Sequence, residues 1–150
     1  MKTLILGLGN SILSDDGIGI NIAHELEKIR PPLPAEIREG SVAGLSILDE
    51  IDGYNRVILI DSIKTGKNEP GSIYRLKPED FNSTTQLSNS HGIDFFTALK
   101  FGEKFGYILP KTIDVFAVEV EDNTTFNERC TPKVEASVSK LVREIVRSLR

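Results

Sequence analysis

The stretch that decides the fold is Leu4–Gly19, LILGLGNSILSDDGIG. An apolar run leads into Gly7–Gly9, the beginning of the Gly-x-Gly-x-x-Gly turn that binds dinucleotides. Ile12 stands where that pattern needs its third glycine, and Asp15 and Asp16 follow where a pyrophosphate would lie. The stretch therefore predicts a buried strand and a loop that positions an acid rather than a phosphate.

Alternating apolar segments extend this pattern along the chain. Further strands are predicted near residues 35–39, 55–60, 72–76 and 113–120. Helices are predicted near residues 15–29, 45–51, 91–105 and 132–149. Strands that alternate with helices predict a three-layer α/β/α sandwich around a five-stranded, mostly parallel sheet. With no linker or repeat in between, we expect residues 1–150 to form a single domain.

Composition excludes several classes of function. The net charge of -4 gives no basic field for nucleic acid or an anionic membrane, and no apolar run approaches the length of a membrane span. A single cysteine excludes an internal disulfide and suits a reducing compartment. These features predict a cytoplasmic protein that binds neither nucleic acid nor membrane.

Three polar segments should meet at the carboxyl ends of the predicted strands, where open α/β sheets bind ligands. The first carries Asp15 and Asp16, the second has Asp61 at the end of VILID, and the third has His91 at a helix start. Two carboxylates and a neutral imidazole could form a three-ligand site for zinc or nickel. The sequence thus allows an open metal site at this edge.

Each of these residues also has a simpler interpretation. Asp15 is expected to cap the following helix. Asp16 could be no more than an acid that the dipole of that helix favours in its first turn. Asp61 could close a turn after its strand. His24 should lie at the surface, and Cys130, without a histidine nearby in sequence, should be structural rather than a nucleophile.

Together, several blocks of the sequence resemble one family. LGLGNSILSDDGIG resembles the opening signature of the hydrogenase maturation endopeptidases, and four later blocks follow in family order. These are EGSVAGLSILDEI, VILIDSI, SNSHGIDF and CTPKVEASV. The resemblance implies the strand order 2-1-3-5-4 with strand four antiparallel. It also implies an endopeptidase that removes the C-terminal extension of a nickel-loaded large-subunit precursor of a nickel-iron hydrogenase.

The resemblance also assigns roles to individual residues. Asp16, Asp61 and His91 fall on the family's metal-contacting and catalytic positions. Nickel carried by the precursor is then the expected metal, zinc is possible in the isolated enzyme, and we expect a monomer. A glycine-containing loop of the family, which binds the substrate peptide, corresponds to Gly40, Ser41 and Gly44.

The mechanism and two alternative functions stay open at this stage. The three site residues could contact the precursor's nickel or hold a metal that polarises the scissile carbonyl, or one carboxylate could activate water. One alternative function is a Rossmann-like nucleotide-binding domain, in which Glu39 would bind the ribose. The other is a non-catalytic interaction domain of flavodoxin-like shape.

Overall fold

A computed structural model describes residues 1–40, 44–79 and 95–150. Its sheet has five strands in the order β2-β1-β3-β5-β4. They are β1 (Thr3–Leu8), β2 (Glu36–Gly40), β3 (Arg56–Ile63), β4 (Ile73–Leu76) and β5 (Thr112–Glu119). All neighbouring pairs are parallel except β4 with β5, which is antiparallel. The expected order and the direction of strand four are both confirmed.

Helices cover the two faces of this sheet. In the described part of the chain they are α1 (Ile18–Glu27), α2 (Ile47–Ile51), α3 (Phe95–Lys104), α4 (Pro132–Glu135) and α5 (Val138–Ser148). One core joins the sheet to α2 and α3, and a second joins it to α1, α4 and α5. Leu4 and Leu6 of β1 belong to the first core and Ile5 to the second, because successive side chains leave a strand on opposite faces. The three-layer expectation is confirmed.

Two helices differ from their predicted extents. The chain forms a 3₁₀ turn at Ser14–Gly17 before α1, so the α-helix begins three residues later than the spacing predicts. The closing helix divides into α4 and α5, and between them the Ser137 hydroxyl donates to the carbonyl of Val134 at 2.6 Å. Apolar residues keep the same spacing across this break, and so the pattern carries no sign of it.

Glycines let α1 pack closely on β1 and β3. A Cβ atom at Gly19 would lie 2.4 Å from the carbonyl oxygen of Ile60 and 2.5 Å from that of Leu8. A Cβ atom at Gly7 would lie 2.3 Å from the carbonyl oxygen of Gly19. The loop between β1 and α1 is therefore held against the carboxyl ends of β1 and β3. Among the described helices, none is long and apolar enough to cross a membrane.

Candidate active site at the carboxyl ends of β1 and β3

Asp16 lies in the 3₁₀ turn and is only 4% exposed. Its Oδ2 accepts a hydrogen bond from the backbone amide of Asn10 at 3.0 Å, and its Oδ1 accepts one from the Ser62 hydroxyl at 2.8 Å. Gly9 has a φ of 139°, and a Cβ atom there would lie 2.0 Å from the Asp16 carbonyl oxygen. Only glycine fits this position, and the turn presses Asp16 toward the end of β3.

Asp61 lies within β3 and does not end it, because the strand continues to Ile63. The interpretation of Asp61 as a turn residue is therefore wrong. Its side chain is buried, and Oδ1 accepts a hydrogen bond from the backbone amide of Ser62 at 2.8 Å. Ser62 therefore contacts both acids, since its hydroxyl bonds to Asp16 and its amide bonds to the side chain of its neighbour Asp61.

Asp15 does not cap the helix, and that expectation is wrong. Neither the 3₁₀ turn nor α1 has a side-chain cap. The fully buried Asp15 carboxylate instead accepts backbone hydrogen bonds from Glu121 and Asp122, both at 2.9 Å, and from Thr131 at 2.6 Å. The Thr131 hydroxyl also donates to it, at 2.8 Å to Oδ2. Asp15 therefore ties the segment after β5 to the turn that carries Asp16.

The segment after β5 encloses the acid-bearing loop through further backbone contacts. Ser14 donates its amide to Asn127 at 2.8 Å and its hydroxyl to the Arg129 carbonyl at 3.1 Å. Leu13 forms an isolated parallel β-bridge with Asn127. Ser14 has a φ of 48°, an unusual conformation for a residue with a side chain, which these contacts stabilise. The position of Asp16 thus depends on two distant parts of the chain.

The remaining predicted site residues lie partly outside the described residues. His91 and Ser41 are among residues that the structure does not describe, so their predicted roles stay predictions. Gly40 ends β2 and accepts a hydrogen bond from the Gly9 amide at 3.2 Å, while Gly44 begins a 3₁₀ turn before α2. Within residues 1–40, 44–79 and 95–150, no three acidic, histidine or cysteine side chains gather as a metal site.

Two other residues are placed as the sequence predicts. His24 is exposed at the surface, where its Nε2 pairs with Glu39. Cys130 is partly buried, with its sulfur 3.4 Å from the Asn21 amide nitrogen. Burial, reinforced by the negative charge of Asp15, raises the pKa of the Cys130 thiol to about 12. A thiol with this pKa is almost wholly protonated near pH 7, which agrees with a structural role.

The loop after β1 is not arranged to bind a nucleotide phosphate. The Asn10 amide, which could donate to a phosphate in a dinucleotide-binding turn, donates to Asp16 instead. The space beside Gly9 is filled by the main chain of Asp16. Glu39, which would bind the ribose in the nucleotide-binding alternative, pairs with His24. The loop therefore positions an acid, as the opening stretch of the sequence predicts.

Comparison with known proteins identifies the family of this chain. The sequence profile of the hydrogenase maturation protease family matches residues 20–148. The chain belongs to this family. The hydrogenase 2 maturation protease of Escherichia coli (strain K12) is 31% identical over 156 residues, which cover 100% of this chain and 92% of the relative.

Solved structures of maturation proteases share the fold. The hydrogenase maturating endopeptidase HybD from E. coli superposes with a TM-score of 0.84 at 29% identity, covering 100% of this chain and 93% of that one. A [NiFe] hydrogenase maturation protease, HycI from Thermococcus kodakarensis, has a TM-score of 0.75. At 18% identity over 99% of this chain and 92% of its own, it supports the fold alone. This maturation protease is therefore a hydrolase, an endopeptidase of hydrogenase processing.

Sequence reasoning missed two functions of individual side chains in this maturation protease. It did not single out Ser62, which contacts both predicted site acids. It also assigned Asp15 to the backbone of the following helix, whereas Asp15 bonds to the segment after β5. Alternation along β3 could have indicated Ser62, because it places that side chain on the same face as Ile60, where α1 packs. The partners of Asp15 are more than a hundred residues away in sequence and leave no local signal.

Proposed function

We propose that this protease removes the C-terminal extension of a nickel-iron hydrogenase large-subunit precursor after nickel has been loaded. Asp16, Asp61 and His91 recognise the bound nickel. One observation carries the proposal: two buried carboxylates from separate segments are both hydrogen-bonded to Ser62 at the carboxyl end of β3. Burying two acids that both contact one residue is costly unless they serve a cation or a reaction.

The donor set fits a borderline divalent metal. Carboxylate oxygens combined with one imidazole suit nickel or zinc better than they suit calcium or magnesium, which prefer oxygen ligands alone. Each oxygen of Asp16 accepts one described hydrogen bond, and a carboxylate has about four lone-pair positions. Asp16 therefore keeps acceptor capacity for the nickel of the precursor. In the isolated enzyme, zinc could occupy the same ligands.

The chemistry of cleavage follows from what these residues can do. Nickel held by the precursor's own cysteines would be fixed by the site residues, which places the neighbouring peptide bond for hydrolysis. A carboxylate of the pair that is not engaged by nickel can accept a proton from the attacking water. Cys130 is not the nucleophile, because its thiol stays protonated near pH 7. The proposed reaction is thus a hydrolysis that depends on a carboxylate side chain and is directed by the nickel of the substrate.

The proposed setting of this reaction is the cytoplasm, a reducing compartment. The single cysteine and the net charge of -4 agree with that compartment and with a protein partner rather than nucleic acid. The Gly40–Gly44 segment, including Ser41, binds the peptide near the cleavage site. The protease acts as a monomer made of one domain.

Variants of the two described acids test the proposal. Asp16→Asn and Asp61→Asn keep the side-chain shape but remove a negative ligand, and both should stop release of the C-terminal peptide from nickel-loaded precursor, followed on a gel. Asp49→Asn is the matched control, because Asp49 is exposed and bonds to the Tyr107 hydroxyl away from the site. Thermal melts confirm folding. Normal processing by either folded site variant would refute the proposal.

A further inference from the structure

Ser62 bonds to both site acids but takes no part itself in the proposed reaction. It is 1% exposed and lies in β3, paired in register with Val118 of β5. We infer that Ser62 is a positioning residue, which holds the Asp16 carboxylate in a fixed relation to Asp61 so that both can face the nickel of the precursor. This inference rests on the proposed function, since it concerns how the same site is aligned.

The two hydrogen bonds of Ser62 connect acids of different origin. Its hydroxyl donates to Asp16 Oδ1 at 2.8 Å, and its amide donates to Asp61 Oδ1 at 2.8 Å. Asp16 comes from a turn outside the sheet, whereas Asp61 belongs to a strand with neighbours on both sides. Asp15 and the close packing at Gly9 hold the main chain of the turn, and the Ser62 hydroxyl connects the Asp16 side chain itself to β3.

Ser62 also selects which oxygen of Asp16 is held by the sheet. The Asn10 amide bonds to Oδ2 at 3.0 Å and Ser62 bonds to Oδ1, so the carboxylate is fixed at both ends and its rotation is restricted. Hydrogen bonds to the ligands of a metal orient them, and their loss typically lowers metal affinity or activity by about 10- to 100-fold. Loss of the Ser62 hydroxyl should have an effect of that size.

A second buried serine shows that this arrangement is not simply the default for a serine hydroxyl. Ser137 is 7% exposed and donates to a carbonyl three residues earlier, that of Val134, at 2.6 Å. Its bond closes a local turn between α4 and α5. Ser62 instead bonds to a carboxylate 46 residues away in sequence. Ser137 therefore provides a matched control for loss of a buried hydroxyl.

The experiment compares Ser62→Ala, Ser137→Ala and Ser62→Thr in the processing of nickel-loaded precursor, with a thermal melt of each. Ser62→Ala should process about 10- to 100-fold more slowly than the wild type. Ser137→Ala should process at the wild-type rate, although it loses similar thermal stability. Ser62→Thr keeps the hydroxyl and should restore most of the rate. If the threonine methyl group prevents folding, the two alanine variants decide alone.

Wild type and Asp16→Asn, assayed alongside, separate the two possible failures. If Asp16→Asn is inactive and Ser62→Ala processes as fast as Ser137→Ala, the positioning role is overturned and the proposed function stands. If Asp16→Asn processes normally, both are overturned. A slow Ser62→Ala beside a normal Ser137→Ala and an inactive Asp16→Asn supports both.

Discussion

Among single residues, Asp15 offers the sharpest test of how the acid-bearing turn is held. Within the described residues, its carboxylate accepts hydrogen bonds from three backbone amides and from the Thr131 hydroxyl. Asp15→Asn must turn an amide nitrogen toward backbone N–H groups, whichever way the carboxamide is oriented. We expect a loss of about 3 kcal/mol in the free energy of unfolding, measured in urea.

The control for Asp15 is the exposed Asp49. Asp49→Asn should change the free energy of unfolding by no more than about 0.5 kcal/mol. A helix cap at Asp15 would predict an equally small cost for Asp15→Asn, because asparagine caps as well as aspartate. Equal stability of the two variants would therefore contradict the hydrogen bonds to the Asp15 carboxylate that the structure shows.

The two neighbouring acids show how far single residues could be predicted. The sequence correctly separated Asp15, which serves the backbone, from Asp16, which faces the end of β3. It could not find the partners of Asp15, because these belong to a segment that only the fold brings near. Alternation along β3 could indicate the face that Ser62 occupies, but not that its hydroxyl would meet Asp16, which is 46 residues away in sequence.

Among elements, the contact between α1 and the sheet depends on Gly19. A Cβ atom there would collide with two backbone carbonyl oxygens that cannot move without shifting β1 or β3. Gly19→Ala should cost more than about 3 kcal/mol of stability, measured by urea unfolding. It should also slow processing, because α1 directly follows the turn that carries Asp16.

Gly53 is the matched control for this substitution. It has a φ of 85°, and a Cβ atom there would meet nothing within 4 Å, so Gly53→Ala introduces backbone strain without a collision. We expect a cost of about 1–2 kcal/mol and no change in processing. A Gly19→Ala variant as stable as Gly53→Ala would show that α1 does not pack as closely as described.

The segment after β5 should respond to acid through Asp122. Hydrogen bonds from Thr125 and Thr124 lower the pKa of Asp122 to about 2. Because this pKa lies below the unfolded value of about 3.9, the stabilisation is complete above about pH 4 and is lost as the pH falls toward 2. The difference in Tm between wild type and Asp122→Ala should therefore be constant from pH 6 to 8 and shrink below pH 4. A difference that is unchanged at pH 2.5 would contradict this role.

Elements were predicted best where burial imposes a pattern. The continuous Leu and Ile residues of β1 and the apolar run of β3 indicated strands covered on both faces, as the structure confirms. Boundaries were predicted less well, because a 3₁₀ turn and the break between α4 and α5 do not disturb the apolar spacing. The 3₁₀ turn depends on hydrogen bonds to the distant segment after β5, and the α4–α5 break is accompanied by a single local bond from Ser137 to Val134.

For the whole molecule, the sheet order explains why the site lies where it does. β1 lies between β2 and β3, so the chain leaves β1 toward one side and returns on the other. The carboxyl ends of β1 and β3 are adjacent at this switch point, and the loop with Asp16 meets Asp61 through Ser62 there. The pattern of strands and helices predicted that the site lies at the carboxyl ends of the strands. The antiparallel direction of β4 was predicted only from the family resemblance.

Nickel dependence tests the central claim most directly. Wild-type protease is incubated with the same precursor in nickel-loaded and nickel-free forms, and release of the C-terminal peptide is followed by mass spectrometry. The account predicts cleavage of the nickel-loaded precursor alone, and no cleavage of either form by Asp16→Asn. Equal cleavage of the nickel-free precursor by the wild type would contradict it.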